Sequence, residues 1–425
     1  MAASELRQRL SDELHARAFH DFAGAGRFIR FVYLTEQEEP AVIAYINTFL
    51  ENLGQSALSS NFKFVRLELD GYVLRVERHT EFFSVSFVQK GETQKTGLSS
   101  KAFDISATGL PIAWARNLPA PLFTAIWLEI GGKAPRNIKP NGMLDVLESR
   151  AVAANYFSDE SAQVHFAFDV DKDGFSRIAL YNEAISSDRM GRTVQRIVEL
   201  ETYRLLALLG FAAIQEHSPQ LAQLEQLVAN LTKDLAAQIK RPDSQMEQLL
   251  QLLSAQAADL EEIYSQTSYR MAATKAYETI LNDRLEGLRL TRLSGFQGVR
   301  GFLRRRMSPA MDSCRAFDAR LTHLSQRISR AGDLLRTQTE MLIQNQNRDL
   351  LHSMNDRSRD QLRLQLTVER LSIAAVTYYG VGLVGYLASA LPLSQWNVDV
   401  IYIKAAAVPV IAFTVYAAIR SVHKR

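Results

Sequence analysis

The side chains best suited to chemistry are acids spaced along one turn. Asp169-x-Asp171-x-Asp173-Gly174 repeats the first half of a calcium-binding loop. The twelfth position of such a loop supplies a bidentate Glu; here it is Leu180, and strand-like runs stand where helices belong. The segment therefore reads as the Asp-Gly turn of a hairpin. His15 and His20 flank an Arg near the start, without an HExxH pattern, and read as structural. Gly380-x-Gly382-x-x-Gly385 matches a dinucleotide fingerprint by letter only, because it lies inside an apolar run with no strand before it. Arg300, Arg304, Arg305 and Arg306 form a basic cluster that suits lipid headgroups or phosphates, or else a solvated helical turn. No GxSxG, Walker or kinase signature occurs, so an enzyme is not expected. No cofactor is called for, and a divalent cation is the one candidate.

The elements that must position these residues fall into three regions. Residues 1–187 alternate helix and strand patterns. Leu6, Leu10 and Leu14 predict a short amphipathic helix, and Ala41–Leu53 a second. Strands are predicted at Phe28–Leu34, Phe62–Leu69, Tyr72–His79, Phe82–Val88, Phe123–Ile130, Val152–Phe157, Val164–Val170 and Phe175–Tyr181, with Asp70-Gly71 as a two-residue hairpin turn. The expectation is an α+β cytoplasmic domain, a mostly antiparallel sheet with helices against it. The Gly-, Ser- and Pro-containing stretch 91–121 reads as loop.

Residues 188–370 are helical in pattern. Pro242 marks a restart, and the pattern breaks around Gly295, Gly298 and Gly301 before Ser308-Pro309 begins another helix. Cys314, Phe317, Leu321, Leu324, Ile328, Ala331 and Leu335 then alternate by three and four, an a/d seam that predicts a coiled-coil stalk. Gln338, Asn345, Asp349 and His352 continue the seam in polar form, which suits either a solvated stalk or one face of a wet vestibule in an oligomer.

Residues 371–425 contain two apolar segments, Leu371–Leu391 and Val400–Ile419, each about the 20 residues that cross a bilayer core. Arg357, Arg359, Arg363 and Arg370 precede the pair, and Arg420, Lys424 and Arg425 follow it. The connecting loop has no Lys or Arg. The positive-inside bias places both termini in the cytoplasm, so the expectation is a multi-pass inner-membrane protein in contact with lipid. Gly385-x-x-x-Ser389 permits close helix approach. With 425 residues, 49 Lys plus Arg against 46 Asp plus Glu, and a lone Cys314, neither a nucleic-acid partner nor a disulfide framework is expected.

ELHARAF near the start, QNRDLLHSM and LQLTVERLSIAAVTYYGVGLVGYL carry a resemblance, over nearly the full length, to a bacterial family of membrane-anchored proteins of unknown function. The order of parts also resembles the CorA-type magnesium channels, which are pentamers with the first membrane helix lining the pore. That likeness implies a homo-oligomer, pentameric by analogy, with Thr377, Val381, Gly385 and Ser389 along a pore and Asn397 and Asp399 at its exit. The Gly-Met-Asn motif of that family is absent, so magnesium selectivity does not carry over. The leading expectation is a CorA-like channel or transporter with a cytoplasmic regulatory domain. The competing one is a membrane-anchored scaffold or sensor.

Overall fold

A computed structural model describes residues 24–35, 38–59, 62–91, 94–240, 246–390 and 399–422. The predicted helix around Leu6, together with His15, His20, Pro242 and Asn397, lies outside the described residues. The described chain divides into two compact units: residues up to 234 with 248–330, and residues of 235–247 with 331 onward.

Alternating apolar residues in the first region build nine strands into one sheet. These are β1 (Gly26–Leu34), β2 (Phe64–Leu69), β3 (Tyr72–Arg78), β4 (Phe82–Lys90), β5 (Leu122–Gly131), β6 (Val152–Phe157), β7 (Ala162–Ala167), β8 (Phe175–Asn182) and β9 (Leu290–Arg292). Their order is β2-β3-β4-β1-β5-β8-β7-β6-β9. Every pairing is antiparallel except β5 with β8. The sheet is therefore mixed, with the expected antiparallel character on either side of one parallel pair. Leu69 pairs with Tyr72, so Asp70-Gly71 is the two-residue turn, and Gly71 takes the positive φ of +81° that such a turn requires. Three further helices interrupt the strands: α1 (Glu39–Asn52), α2 (Ile112–Arg116) and α3 (Pro140–Val146). The stretch 91–121, expected as loop, thus carries α2. β9 comes from the mostly helical stretch and pairs with β6, so the sheet draws on both sides of residue 187.

Both sheet faces are buried. On one face Ile29, Phe31, Leu74, Phe87, Trp127 and Phe175 form the core with Val42, Ile46 and Leu50 of α1 and Ile112 and Ala115 of α2. Trp114 of α2 stacks on Phe49 of α1 at 4.0 Å, and the Tyr33 hydroxyl donates to the Ala115 carbonyl at 2.5 Å.

The long helices α4 (Ser187–Lys240) and α5 (Met246–Gly287) meet the other face. Arg204 donates to the Phe168 carbonyl, and Tyr277 and Arg270 both hold Glu81 at the end of the β3–β4 turn. α4 and α5 touch closely where Gly210 faces Thr274, so that any Cβ at Gly210 collides with the threonine. After the short α6 (Val299–Arg306), α7 runs over Ser308–Ser389 and α8 over Val400–Val422. The start of α7 packs on both long helices: Arg320 makes a two-pronged pair with Glu225 of α4 at 2.8 and 2.9 Å, and Arg315 pairs with Glu278 of α5.

Candidate functional site

The end of α7 and the whole of α8 are long and apolar enough to cross a membrane, by length and composition. Large apolar and aromatic side chains cover their outsides. Tyr378, Tyr386 and Phe413 are each more than 70 % exposed, which water alone does not favour over so continuous a surface. The inner contact between the two helices runs over glycines. Gly380 lies against Ile411, and Gly385 is buried under the stem of Lys404, whose Nζ comes within 3.1 Å of the place a Cβ would take. This close approach is what small residues permit between membrane helices.

The expected pore residues divide on this geometry. Gly385 faces the second helix of its own chain. Val381 is half-buried. The Thr377 hydroxyl is buried without a hydrogen-bond partner. The Ser389 hydroxyl turns back to donate to the Gly385 carbonyl at 2.8 Å, the usual fate of serine in an apolar helix. Asp399 is exposed at the start of α8, and its carboxylate accepts from the Ile401 N–H at 3.1 Å, as an N-cap does. Asn397 lies outside the described residues.

All seven seam residues from Cys314 to Leu335 are buried within the single chain. Leu321 and Ile328 line a cleft with Leu260 and Tyr264 of α5, so the chain's own helices flank this part of the seam. A coiled coil between subunits is not shown. Burial pushes the Cys314 thiol up to about 11, leaving it protonated and unreactive. Past the seam Gln338 is half-buried, and Asn345, Asp349 and His352 are exposed.

The acidic turn contains a real convergence of carboxylates. Glu148, Asp171 and Asp173 bring oxygens within 4.8 Å of one another. The space between them is occupied by Arg177. Its guanidinium contacts Asp171 at 2.5 Å, Glu148 at 3.1 Å and Asp173 at 3.6 Å. Asp171 also accepts from the backbone N–H groups of Asp173 and Phe175, both at 2.8 Å. The acids thus tie a hairpin turn around an internal cation, and the turn reading of this motif matches the structure.

A second ionic cluster was not singled out from sequence. Glu77 accepts from Arg30 and Arg75, each at 3.1 Å, while Arg30 also donates to Ser86 at 3.0 Å and His79 approaches Glu77 at 3.5 Å. Burial alone would raise the Glu77 carboxyl, yet Arg30, the His79 contact and Arg75 together hold it well below the usual carboxylate range. The signal was present as three charged residues on strands, but it becomes readable only through the register, in which Arg30 and Arg75 both pair with Ser86. Arg30, Arg75, Glu77 and Ser86 are nearly inaccessible, with His79 half-buried beside them, so the cluster's role is structural.

The chain belongs to the family described as protein of unknown function (DUF3422), whose model matches residues 2–425. No curated protein and no solved structure matches it, so the likeness to CorA-type channels has no relative behind it.

Proposed function

We propose that this chain is anchored in the bacterial inner membrane by the end of α7 and by α8, with both termini cytoplasmic, and acts there as a scaffold or sensor. The reading is carried by Lys404. Its stem covers Gly385, at the middle of the face expected to line a pore, and an ammonium there repels cations. The orientation rests on the arginines before the first apolar segment and the basic tail after the second. A helix polar on most sides between Arg336 and Gln361 suits a solvated stalk.

The second reading is a CorA-like channel or transporter, assembled as an oligomer with Gln338, Asn345, Asp349 and His352 lining a vestibule. Exposed Asp399 favours it, because one acid per subunit makes a ring that attracts cations. Flux through liposomes carrying the full chain separates the two. The anchored reading expects no protein-dependent flux of potassium, sodium or magnesium. Flux that falls in Asp399→Asn would replace it with the channel. A reporter fused after Arg425 is expected to be active only on the cytoplasmic side.

A further inference from the structure

Two separate segments of the first unit bring arginines, and a third brings an aspartate, to one polar cleft of about 440 Å³. The first three turns of α4 supply Arg189, Arg192 and Arg196, whose spacing of three and four places them on one helix face. The turn between α5 and β9 supplies Arg289, and the β6–β7 turn supplies Asp159. Against four guanidinium groups the lining offers this single carboxylate, so the cleft carries a net charge of +3.

Several features hold these side chains in place. Arg189 donates to Asp159 at 3.0 Å, and Arg196 donates to the Gly287 carbonyl at 3.1 Å. Arg192 reaches its nearest acid, Asp188, only at 4.0 Å. Arg289 has no side-chain partner among the described residues. Its backbone adopts the left-handed conformation, with φ of +48°, which costs a non-glycine residue about 1 kcal/mol. That conformation is fixed by the Arg289 carbonyl, which accepts from the Ser158 N–H at 2.8 Å. Arg289 follows the end of α5, where a left-handed residue commonly closes a helix. Residues 287–311 contain six arginines and no acid, while Asp188, Glu160 and Glu286 adjoin the lining in sequence without forming part of it.

We infer that this cleft binds a small ligand bearing phosphoryl groups. Guanidinium groups suit that chemistry because each presents paired N–H donors matched to two phosphate oxygens. The cleft volume lies within the roughly 300–1,000 Å³ typical of small-molecule sites. Its lining is mostly polar, with Thr193 adding a hydroxyl, which fits a hydrophilic phosphate compound. One guanidinium is engaged by Asp159, so two or more phosphoryl groups match the charge that remains. The inference goes beyond the reading of the C-terminal helices and holds whether they anchor or conduct.

The test is calorimetric titration of the full chain in neutral detergent. Sodium pyrophosphate is one probe and soluble dioctanoyl phosphatidate the other, with sodium sulfate as the control for general anion attraction. Saturable binding of pyrophosphate well above that of sulfate is expected, falling at least tenfold in Arg192→Ala and in Arg289→Ala. Arg305→Ala, outside the cleft, is expected to keep parent affinity. Arg192→Lys keeps the charge and loses the fork, and an intermediate affinity is expected. Unchanged thermal unfolding of the variants ties any loss to the cleft. Preference for phosphatidate that depends on Arg192 and Arg289 would identify the phosphoryl source as a lipid headgroup. No saturable binding of either probe, equal binding of sulfate, or an equal loss in Arg305→Ala would overturn the inference.

Discussion

On one face of the sheet Phe31 and Trp127 meet Phe175 edge to face, at centroid distances of 5.7 and 5.2 Å. On the other, Arg30, Arg75 and Glu77 share hydrogen bonds under the long helices. Alternation along the same strands produces both: Ile29 and Phe31 point one way and Arg30 the other. Burial is comparable, but the two faces respond differently to change. An aromatic cluster loses stability in proportion to the volume removed. An ionic cluster fails abruptly, because removing one member leaves the others charged and dry. It also opposes register slips, since moving β4 by one residue against β1 and β3 would take Ser86 away from both arginines.

The largest effect should come from Glu77→Leu. It leaves Arg30 and Arg75 buried side by side without a counter-charge, and about 3–5 kcal/mol of stability is expected to be lost. Denaturant unfolding of the full chain in detergent measures it. A loss under 1 kcal/mol would mean that the two faces do not differ as described. The linkage adds a pH signature. Because the folded Glu77 carboxyl lies below its unfolded value near 4.5, the pair's contribution is complete above that pH and is lost as pH falls below it.

The aromatic face also holds titrating groups, His165 and Glu129 beside Arg27, and His165 acts in a different window. His165 is fully buried between the rings of Tyr181 and Phe296, at 5.5 and 5.1 Å, and neither ring nitrogen has a partner. Burial pushes it down to about 4 from an ordinary 6.5. The unfolded chain therefore binds the proton first, so stability is complete above pH 6.5 and falls as pH drops toward 4. The loss is about 3 kcal/mol at one pKa unit per 1.36 kcal/mol. His165→Phe keeps the ring and removes the proton site. Unfolding midpoints of the variant are expected to stay level across that window while those of the parent decline. Parallel declines would place the imidazole in contact with water.

Much of this comparison was legible before the fold was known, and the gaps have physical causes. Period-two alternation marked eight strands, and Asp70-Gly71 marked a hairpin, because both signals are local. β9 escaped because three residues, Leu290–Arg292, are too few to show a period. The parallel β5–β8 pairing escaped because it joins strands separated by an antiparallel hairpin, and no local pattern encodes that order. In the acidic turn, the acids were visible as a motif, but Arg177 was not. It belongs to β8, and only the fold of the turn brings it between the carboxylates. The candidate pore rested on helix periodicity, which places Gly385 on a face without saying what covers it. Lys404, 19 positions further along the sequence, supplies that answer.

The smallest expected effect is the sharpest test of the ionic face, because it compares two serines on one strand. Ser86 and Ser84 both lie on β4, two residues apart on the same side, and both are fully buried. Ser86 accepts from Arg30 at 3.0 Å. The Ser84 hydroxyl has no partner. Truncating Ser86 leaves a buried guanidinium N–H unpaired, so Ser86→Ala is expected to cost about 1–3 kcal/mol. Truncating Ser84 removes a polar atom that is already unsatisfied, and its small volume limits the cavity left behind. Ser84→Ala is therefore expected to change stability by less than about 1 kcal/mol, with stabilisation the favoured sign. Both variants delete the same oxygen from the same strand, so β-propensity and side-chain entropy largely cancel between them. The difference in their unfolding free energies thus isolates the bond to Arg30. If the two variants unfold alike, that bond contributes nothing, and the cluster holds together through Glu77 alone.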